Sequence, residues 1–586
     1  MSRFFLACLL IAATIFPNTH STVAQEYPDS LREFQYRASA LKKADWIHWG
    51  DRKGTFSNWT NHSNRLIPAY SFGVRFDSVR GENSVYRDKA KLTKLYGQLP
   101  TDTLNPKAEY FDQTDIYHLQ KQAWKAGKKN VILIVFDGMD WQTIQAASIY
   151  KNKEVLFTEG KGSGLAFLDY EKGNPDFGYF VTSPHNADTK KDVDAQAVTA
   201  PGTEKPGGYS PLFGGATPWS KPGDPSYLIG KRKELRHAYT DSAASATSLN
   251  TGKKTFSAAI NVGPNGEQFE TLAHEMQKEG FAIGVVTNVP ISHATPACVY
   301  SHNVSRYDNQ DLSRDLVGLR SISHPDEPLS GVDVLIGCGW NAEKANDKKD
   351  QGNNYVPGNE YLPAEDVAKI DIENGGKYVV AQRTRGTAGI EVLSAGAKKA
   401  REQNSRLFGF FGGSHLPYQT ADGNFDPTNG DKKGEKYKPA NMFENPTLAQ
   451  MAEAALSVLE KNEKGFYLMV ETGDVDWANH NNNIDDAIGA VISGDEMFVA
   501  VTKWVEENSN WDETCLILTA DHGHMMVLDD PTVLTGEREL GDQKVFDELL
   551  AIKQKADAEE KRIADEKKAA EKKAAAEKAK ASSESN

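Results

Sequence analysis

Three apolar runs share one layout along the chain. Val131-Ile132-Leu133-Ile134-Val135-Phe136 is continuous and rich in β-branched residues, which predicts a strand buried on both faces of a parallel sheet. Phe466 through Val470 and Cys515 through Leu518 repeat the pattern. Each run ends in residues able to ligate a cation: Asp137, Glu471 and the pair Asp521-His522. Open α/β sheets bind ligands at the carboxyl ends of their strands, so the pattern predicts an α/β fold with a site where these runs stop. Beyond Glu471, Asp476 and His480 lie four apart, and a helix there puts both on one face. The run Thr240-Asp241-Ser242-Ala243-Ala244-Ser245-Ala246-Thr247 places Ser242 at the start of a predicted helix.

These residue types suggest metal chemistry. A serine hydroxyl is a poor nucleophile until a base or a metal lowers its pKa. Carboxylates joined by imidazoles suit zinc, and carboxylate with hydroxyl oxygens alone suits magnesium. Each residue also has an ordinary reading. An aspartate after a strand is commonly a turn or cap residue, Ser242 or Asp241 can serve as a helix cap, and Arg306 can be a solvated surface arginine.

The order of these motifs resembles the alkaline phosphatase family from about Asn130 to His524. A strand-Asp-Gly is followed by Asp241-Ser242-Ala243-Ala244-Ser245-Ala246-Thr247, His293-Ala294-Thr295-Pro296-Ala297 and Arg306. After these come Pro446-Thr447-Leu448-Ala449-Gln450-Met451, Glu471 to His480 and Thr519-Ala520-Asp521-His522. The resemblance implies a doubly wound, mostly parallel central sheet flanked by helices. It also implies a phosphomonoesterase that hydrolyses small phosphate monoesters with two zinc ions and one magnesium ion.

By the resemblance, Ser242 is the nucleophile that becomes phosphoserine and Arg306 grips the phosphoryl oxygens. Asp137, Asp521 and His522 hold the zinc that activates Ser242. Asp137, Thr295 and Glu471 hold magnesium, and Asp476 and His480 hold the leaving-group zinc. His293 is either a neighbour of the magnesium or an ordinary half-buried histidine, and Trp477 either flanks the cleft or packs in the core.

One departure stands out. The family's leaving-group zinc takes a further histidine from well downstream of the Asp-His pair, and no histidine follows His524 here. Either another histidine takes over (His524, His415 and His302 are the candidates), or water completes a weak site, or the product is truncated and catalytically poor. An alternative of another class follows, a catalytically silent phosphate-binding relative. A phosphodiesterase or sulfatase-like relative is expected to depart at Ser242 or Arg306, and both are present.

Composition narrows the rest. A chain of 586 residues, a tenth of them aromatic, can bury a large core. A net charge of -14 argues against nucleic acid as a partner. Anionic substrates remain compatible, because bound metals reverse the local field. Residues 1–24 read as a signal peptide, with Arg3 before an apolar stretch too short to span a membrane and a cleavage site at Thr22-Val23-Ala24, so the mature chain is expected to be periplasmic or secreted. Cys298, Cys338 and Cys515 imply no disulfide framework.

Residues 25–129 carry no assigned role, although Trp46, Trp49 and Trp59 suggest a subdomain or wrap against the main sheet. Residues 130–550 form the expected catalytic domain. Within it, 173–233 is a Pro- and Gly-rich insertion expected near the cleft entrance, and 341–361 is a polar surface loop. Residues 551–586, nearly all Ala, Lys, Glu and Asp, form a charged tail with the composition of a solvated helix. The family resemblance leaves room for a homodimer.

Overall fold

The computed structural model describes residues 30–44, 46–202, 204–232, 237–423, 437–536 and 543–584. The expected signal peptide lies outside the described residues. Ten strands form one sheet: β1 (Ile67–Phe72), β2 (Phe111–Asp112), β3 (Asn130–Phe136), β4 (Asp176–Val181), β5 (Ala282–Pro290), β6 (Val334–Cys338), β7 (Tyr378–Gln382), β8 (Arg406–Phe411), β9 (Phe466–Thr472) and β10 (Thr514–Thr519). Their order across the sheet is β7-β8-β6-β5-β9-β3-β10-β1-β4-β2. From β7 to β10 all neighbours are parallel, as the continuous apolar runs require, and β3, β5, β9 and β10 are buried along their whole length.

The helices used below are α1 (Ser30–Leu41), α2 (Trp141–Asn152), α3 (Ser242–Thr251), α4 (Asn309–Val317), α5 (Leu448–Leu459), α6 (Asp474–His480), α7 (Ile484–Asn508) and α8 (Gln543–Glu584). Helix α5 opens with a capping box, Thr447 and Gln450 each satisfying the other's backbone N–H, and packs against β5 and α7. Helix α7 packs in turn on α2, α5 and α6. The charged tail lies within α8 as far as Glu584, and its apolar Ile552 and Ile563 are exposed.

The amino-terminal stretch belongs to the main sheet. β1 pairs antiparallel with β10 in the register Thr519↔Ala69, so the amino end of β1 lies beside the carboxyl end of β10. The indole of Trp49 donates to Asn479 Oδ1 at 3.0 Å, and Asn482 Nδ2 donates to the Trp59 carbonyl at 2.8 Å, which fastens this stretch to α6 and the turn after it.

The close approach of α7 to the sheet rests on Gly494. A Cβ there would lie 2.2 Å from Phe136 Cε1, and Phe136 immediately precedes Asp137. Gly494→Ala is expected to destabilise the fold by about 1–3 kcal/mol through overpacking. Its urea midpoint should fall while the slope of the transition is unchanged, and a midpoint equal to the parent's would contradict this packing account.

Candidate metal and phosphoryl site

Four adjacent parallel strands deliver the site. Asp137 follows β3, Glu471 is the penultimate residue of β9, Asp521 and His522 follow β10, and His293 and Thr295 follow β5. Gly138 turns the chain away from β3 with φ of +71°. A Cβ there would meet His524 Nε2 at 2.7 Å and the Asp476 backbone at 2.9 Å, so only glycine fits. The capping side chain of Asp241 accepts from Ala244 N, starting α3 so that Ser242 occupies its first turn. All of α3 is buried, which its Ala, Ser and Thr residues allow by their small size.

Around Ser242 the expected residues converge. Its Oγ lies 3.4 Å from Asp137 Oδ1 and 3.2 Å from His522 Nε2. His522 Nε2 is also 3.3 Å from both Asp137 Oδ1 and Asp521 Oδ2. Thr295 Oγ1 lies 3.5 Å from Asp137 Oδ2, on the side where His293 Nδ1 approaches Glu471 Oε1 at 3.2 Å. The guanidinium of Arg306 donates to Asp241 Oδ2 at 3.2 Å and to His293 Nε2 at 3.0 Å, which aims its fork toward the serine. His293 therefore joins Arg306 to the Glu471 corner. Trp477 lines the cleft beside Ser242 and Arg306, and the 173–233 insertion contributes Ala187, Asp188 and Lys205 to its wall. The cleft holds about 520 Å³.

The second corner centres on Asp476 Oδ1. His480 Nε2 is 3.4 Å away, as the helical spacing of four in α6 predicts, and His524 Nε2 is 2.6 Å away. A residue without any sequence assignment completes it: His62 Nε2 lies 3.7 Å from Asp476 Oδ1 and 3.2 Å from His480 Nε2. Ser63 N donates to the Gly523 carbonyl at 2.7 Å, so the loop before β1 is stitched to the loop after β10.

Protonation in this corner follows from backbone contacts. His62 Nδ1 faces the Thr240 carbonyl at 2.9 Å and His480 Nδ1 faces the Thr60 carbonyl at 2.7 Å. A carbonyl only accepts, so each Nδ1 carries the proton and each Nε2 keeps its lone pair. Two imidazole lone pairs then face each other 3.2 Å apart beside the Asp476 carboxylate, with no N–H on either of the two nitrogens. That arrangement repels unless a cation joins it, and such an outer hydrogen bond is how metal-ligating histidines are oriented.

His524 is different. Its Nε2 lies 2.6 Å from the same carboxylate oxygen, close enough to orient Asp476 by donating to it when no ion is shared. The other two candidates for the missing ligand lie elsewhere. His302 groups with Asp315 and His324, and the His415 ring lies against Tyr418 and Trp477. Of the three expected substitutes, His524 stands beside Asp476 and the other two do not, and His62, which precedes its apolar run instead of following one, stands there as well.

Charge in the site is concentrated and dry. Burial, reinforced by neighbouring Asp521, Asp476 and Glu471, pushes the Asp137 carboxyl well above its usual range. Burial with the Asp476 and Glu471 charges lifts Asp521 to about 7, although bonds from Asp137 and Gly138 oppose the rise. Burial drives the pKa values of His62 and His522 well below the ordinary imidazole value, so both are neutral and able to ligate at neutral pH. Asp521 Oδ2 and the Nδ1 atoms of His522 and His524 are buried without a hydrogen-bond partner among the described residues. The donor sets Asp137-Asp521-His522 and Asp476-His480-His62 suit zinc, and the oxygen-rich Asp137-Thr295-Glu471 corner suits magnesium.

Comparison with known proteins gives one answer. The alkaline phosphatase family model matches residues 227–586. Alkaline phosphatase 4 of Bacillus subtilis (strain 168) is 26% identical over 397 residues, 66% of this chain and 66% of that protein. Alkaline phosphatase 3 of the same organism is 28% identical over 304 residues, 50% of this chain and 52% of that protein. The alkaline phosphatase of Escherichia coli (strain K12) is 27% identical over 420 residues, 68% and 70% of the two chains. The chain thus spans 66% and 52% of the lengths of the two Bacillus relatives. Among solved structures, the cold-active alkaline phosphatase from the psychrophile Shewanella sp. aligns with a TM-score of 0.39 at 21% identity, covering 67% of this chain and 68% of that one.

The raised carboxyls make metal uptake proton-linked. In the metal-free site Asp521 stays protonated up to about 7 and burial also raises Asp137 well above its usual range, and only the carboxylates ligate, so an ion must displace protons and displaces fewer of them as pH rises. Zinc titrations of stripped protein, run by calorimetry in two buffers of different ionisation enthalpy, should show proton release at pH 6 that fades above pH 8, with affinity rising as pH rises. Equal affinity and no release across that range would contradict the buried-carboxyl account.

Proposed function

Because the chain belongs to the alkaline phosphatase family, we propose that it is a metal-dependent phosphomonoesterase acting through a phosphoserine on Ser242. Asp137, Asp521 and His522 would hold the zinc beside the nucleophile, and Asp137, Thr295 and Glu471 would hold magnesium. Asp476, His480 and His62 would hold the second zinc. When bound, these ions supply positive charge to both ends of an in-line displacement and lower the pKa of the oxygens they touch.

The chain's own residues do the positioning. Ser242 Oγ, presented at the amino end of a buried helix, attacks the phosphorus. The Oγ–P bond forms while the bond from phosphorus to the leaving oxygen breaks, and water later cleaves the phosphoserine to return phosphate and the free hydroxyl. The planar fork of Arg306, steadied by Asp241 and His293, binds two phosphoryl oxygens. The aligned amide dipoles at the start of α3 add partial positive charge at the same place. His524 holds Asp476 in orientation through its 2.6 Å hydrogen bond.

The observation that carries this reading is the meeting of His62 Nε2 and His480 Nε2, 3.2 Å apart, beside the Asp476 carboxylate. A silent phosphate binder was suggested by a site short of one histidine, and the place of His62 beside Asp476 and His480 supports the enzyme reading instead. Small monoesters fit the open cleft. The export reading rests on the amino-terminal apolar run alone, and among the described residues no helix is long and apolar enough to cross a membrane.

Hydrolysis of p-nitrophenyl phosphate at alkaline pH, with zinc and magnesium supplied, tests the proposal. Ser242→Ala should lower kcat at least about a thousandfold, as loss of a nucleophile does, with its metal content intact. His62→Ala should lose about one zinc per chain and lower kcat about a hundredfold, the scale of a lost electrostatic partner. Parent protein that is folded and metal-loaded yet no faster than Ser242→Ala would overturn the enzyme reading. Full zinc content in His62→Ala would remove His62 from the ligand set.

A further inference from the structure

A second group of ligating side chains lies apart from the catalytic corners and shares no residue with them. His302 follows the helical turn Ala294–Ala297, Asp315 lies in the last turn of α4, and His324 is in the loop after it. One ligand atom from each lies within 4.8 Å of the others. His302 and Asp315 are 6% and 0% exposed, and the His324 side chain is 11% exposed.

The hydrogen bonds around the group leave one nitrogen unsatisfied. His302 Nε2 faces the Phe269 carbonyl at 2.8 Å, so that nitrogen carries the proton and donates. The lone pair is then on Nδ1, which is buried with no hydrogen-bond partner among the described residues. A buried acceptor without a donor is costly, and a hydrogen-bonded network alone does not remedy it. Asp315 is already oriented: Oδ2 accepts from His302 N at 3.0 Å and Oδ1 accepts from Ser321 Oγ at 2.6 Å, and His324 Nδ1 lies 2.9 Å from Oδ1, near enough to share an ion with it. The ring of His274 stacks on His302 with centroids 5.3 Å apart and closes the far side.

From this geometry we infer that His302, Asp315 and His324 bind a structural zinc ion. Two imidazoles and a carboxylate are a zinc donor set, with the fourth position left to water. The Phe269 carbonyl on His302 Nε2–H is the outer bond that fixes the ligating tautomer. The ion anchors the loop that carries Arg306: His302 is four residues before it, Asn303 Nδ2 donates to Asp308 Oδ2 at 2.8 Å, and Arg306 N donates to the Ala258 carbonyl at 2.8 Å. Tying His302 to α4 and to the following loop fixes the start of that turn, so His302, Asp315 and His324 are positioning residues for the arginine fork.

Counting zinc in the full-length protein by mass spectrometry, after gel filtration in metal-free buffer, tests this apart from any turnover. The variant His62→Ala/His480→Ala/His522→Ala removes imidazoles from both proposed catalytic zinc corners and should still retain about one zinc per chain. Adding His324→Ala to that background should release it. Zinc should also raise the melting temperature of the triple variant after EDTA treatment, and not that of the fourfold variant. Should His324→Ala not fold, the triple variant alone decides: about one retained zinc with a zinc-dependent melting temperature supports the site, and no zinc overturns it. Equal zinc in triple and fourfold variants also overturns it. Because none of these readouts uses substrate, they stand even if p-nitrophenyl phosphate is not turned over.

Discussion

Four carboxylates, Asp137, Glu471, Asp476 and Asp521, are withdrawn from water into one small volume, and the rest of the structure accommodates that fact. Burying one unpaired carboxylate is expensive, and burying four together is sustainable only if protons or cations neutralise them. The guanidinium nearest the serine, that of Arg306, is engaged with Asp241. Burial raises the Asp137 and Asp521 carboxyls toward their neutral forms, which offsets part of that charge, and the divalent ions proposed for this site would offset more of it. The parallel strands, the bare Gly138 and the cap on α3 all bring these groups to one point.

The sheet and half of the site are legible in the sequence for the same physical reason. A parallel strand buried on both faces must be continuously apolar, and its ligands must follow it, so Asp137, Glu471 and Asp521-His522 are marked by the runs they end. The i,i+4 spacing marks Asp476 and His480 in the same way. β1 obeys neither rule. Its sequence Ile67-Pro68-Ala69-Tyr70-Ser71-Phe72 is interrupted by Pro and Ser, which an antiparallel strand tolerates better than a central parallel one. Because it runs antiparallel to β10, its ligand comes before the run. A histidine preceding an apolar stretch is the only local signal of His62. His302 was visible as a histidine but not as the partner of Asp315 and His324, because their meeting depends on how α4 folds back.

The site therefore constrains position in space and not order in the chain. The family resemblance implies a histidine downstream of His524, and the one proposed here to take its place comes from upstream, 418 residues from His480. The segments at the two ends of the described chain also touch. Arg37 Nη2 on α1 donates to Gln543 Oε1 on α8 at 2.6 Å, and Tyr36 meets Phe546 edge-on at 5.8 Å. Helix α1 further reaches the start of α7, where Arg32 pairs with Asp485 at 3.1 Å and Gln35 Nε2 donates to Asn483 Oδ1 at 2.8 Å. A fold whose remote segments already lie side by side can draw a ligand from either without altering the sheet.

Using a remote ligand has an energetic consequence. Closing a loop of several hundred residues is only modestly harder than closing one of a few dozen, because the entropy grows with the logarithm of length. The contacts of Trp49, Trp59 and Ser63 already close it before any ion binds. With the ligand set proposed for this corner, an ion held by His62 and His480 joins the first strand of the sheet to α6. Its binding free energy then adds to the stability of that docking, since an ion that binds only the assembled site stabilises the assembled form by mass action. The strand that lies beside β10 and the ligand proposed to complete the metal corner are thus one segment, and the chain cannot lose one without weakening the other.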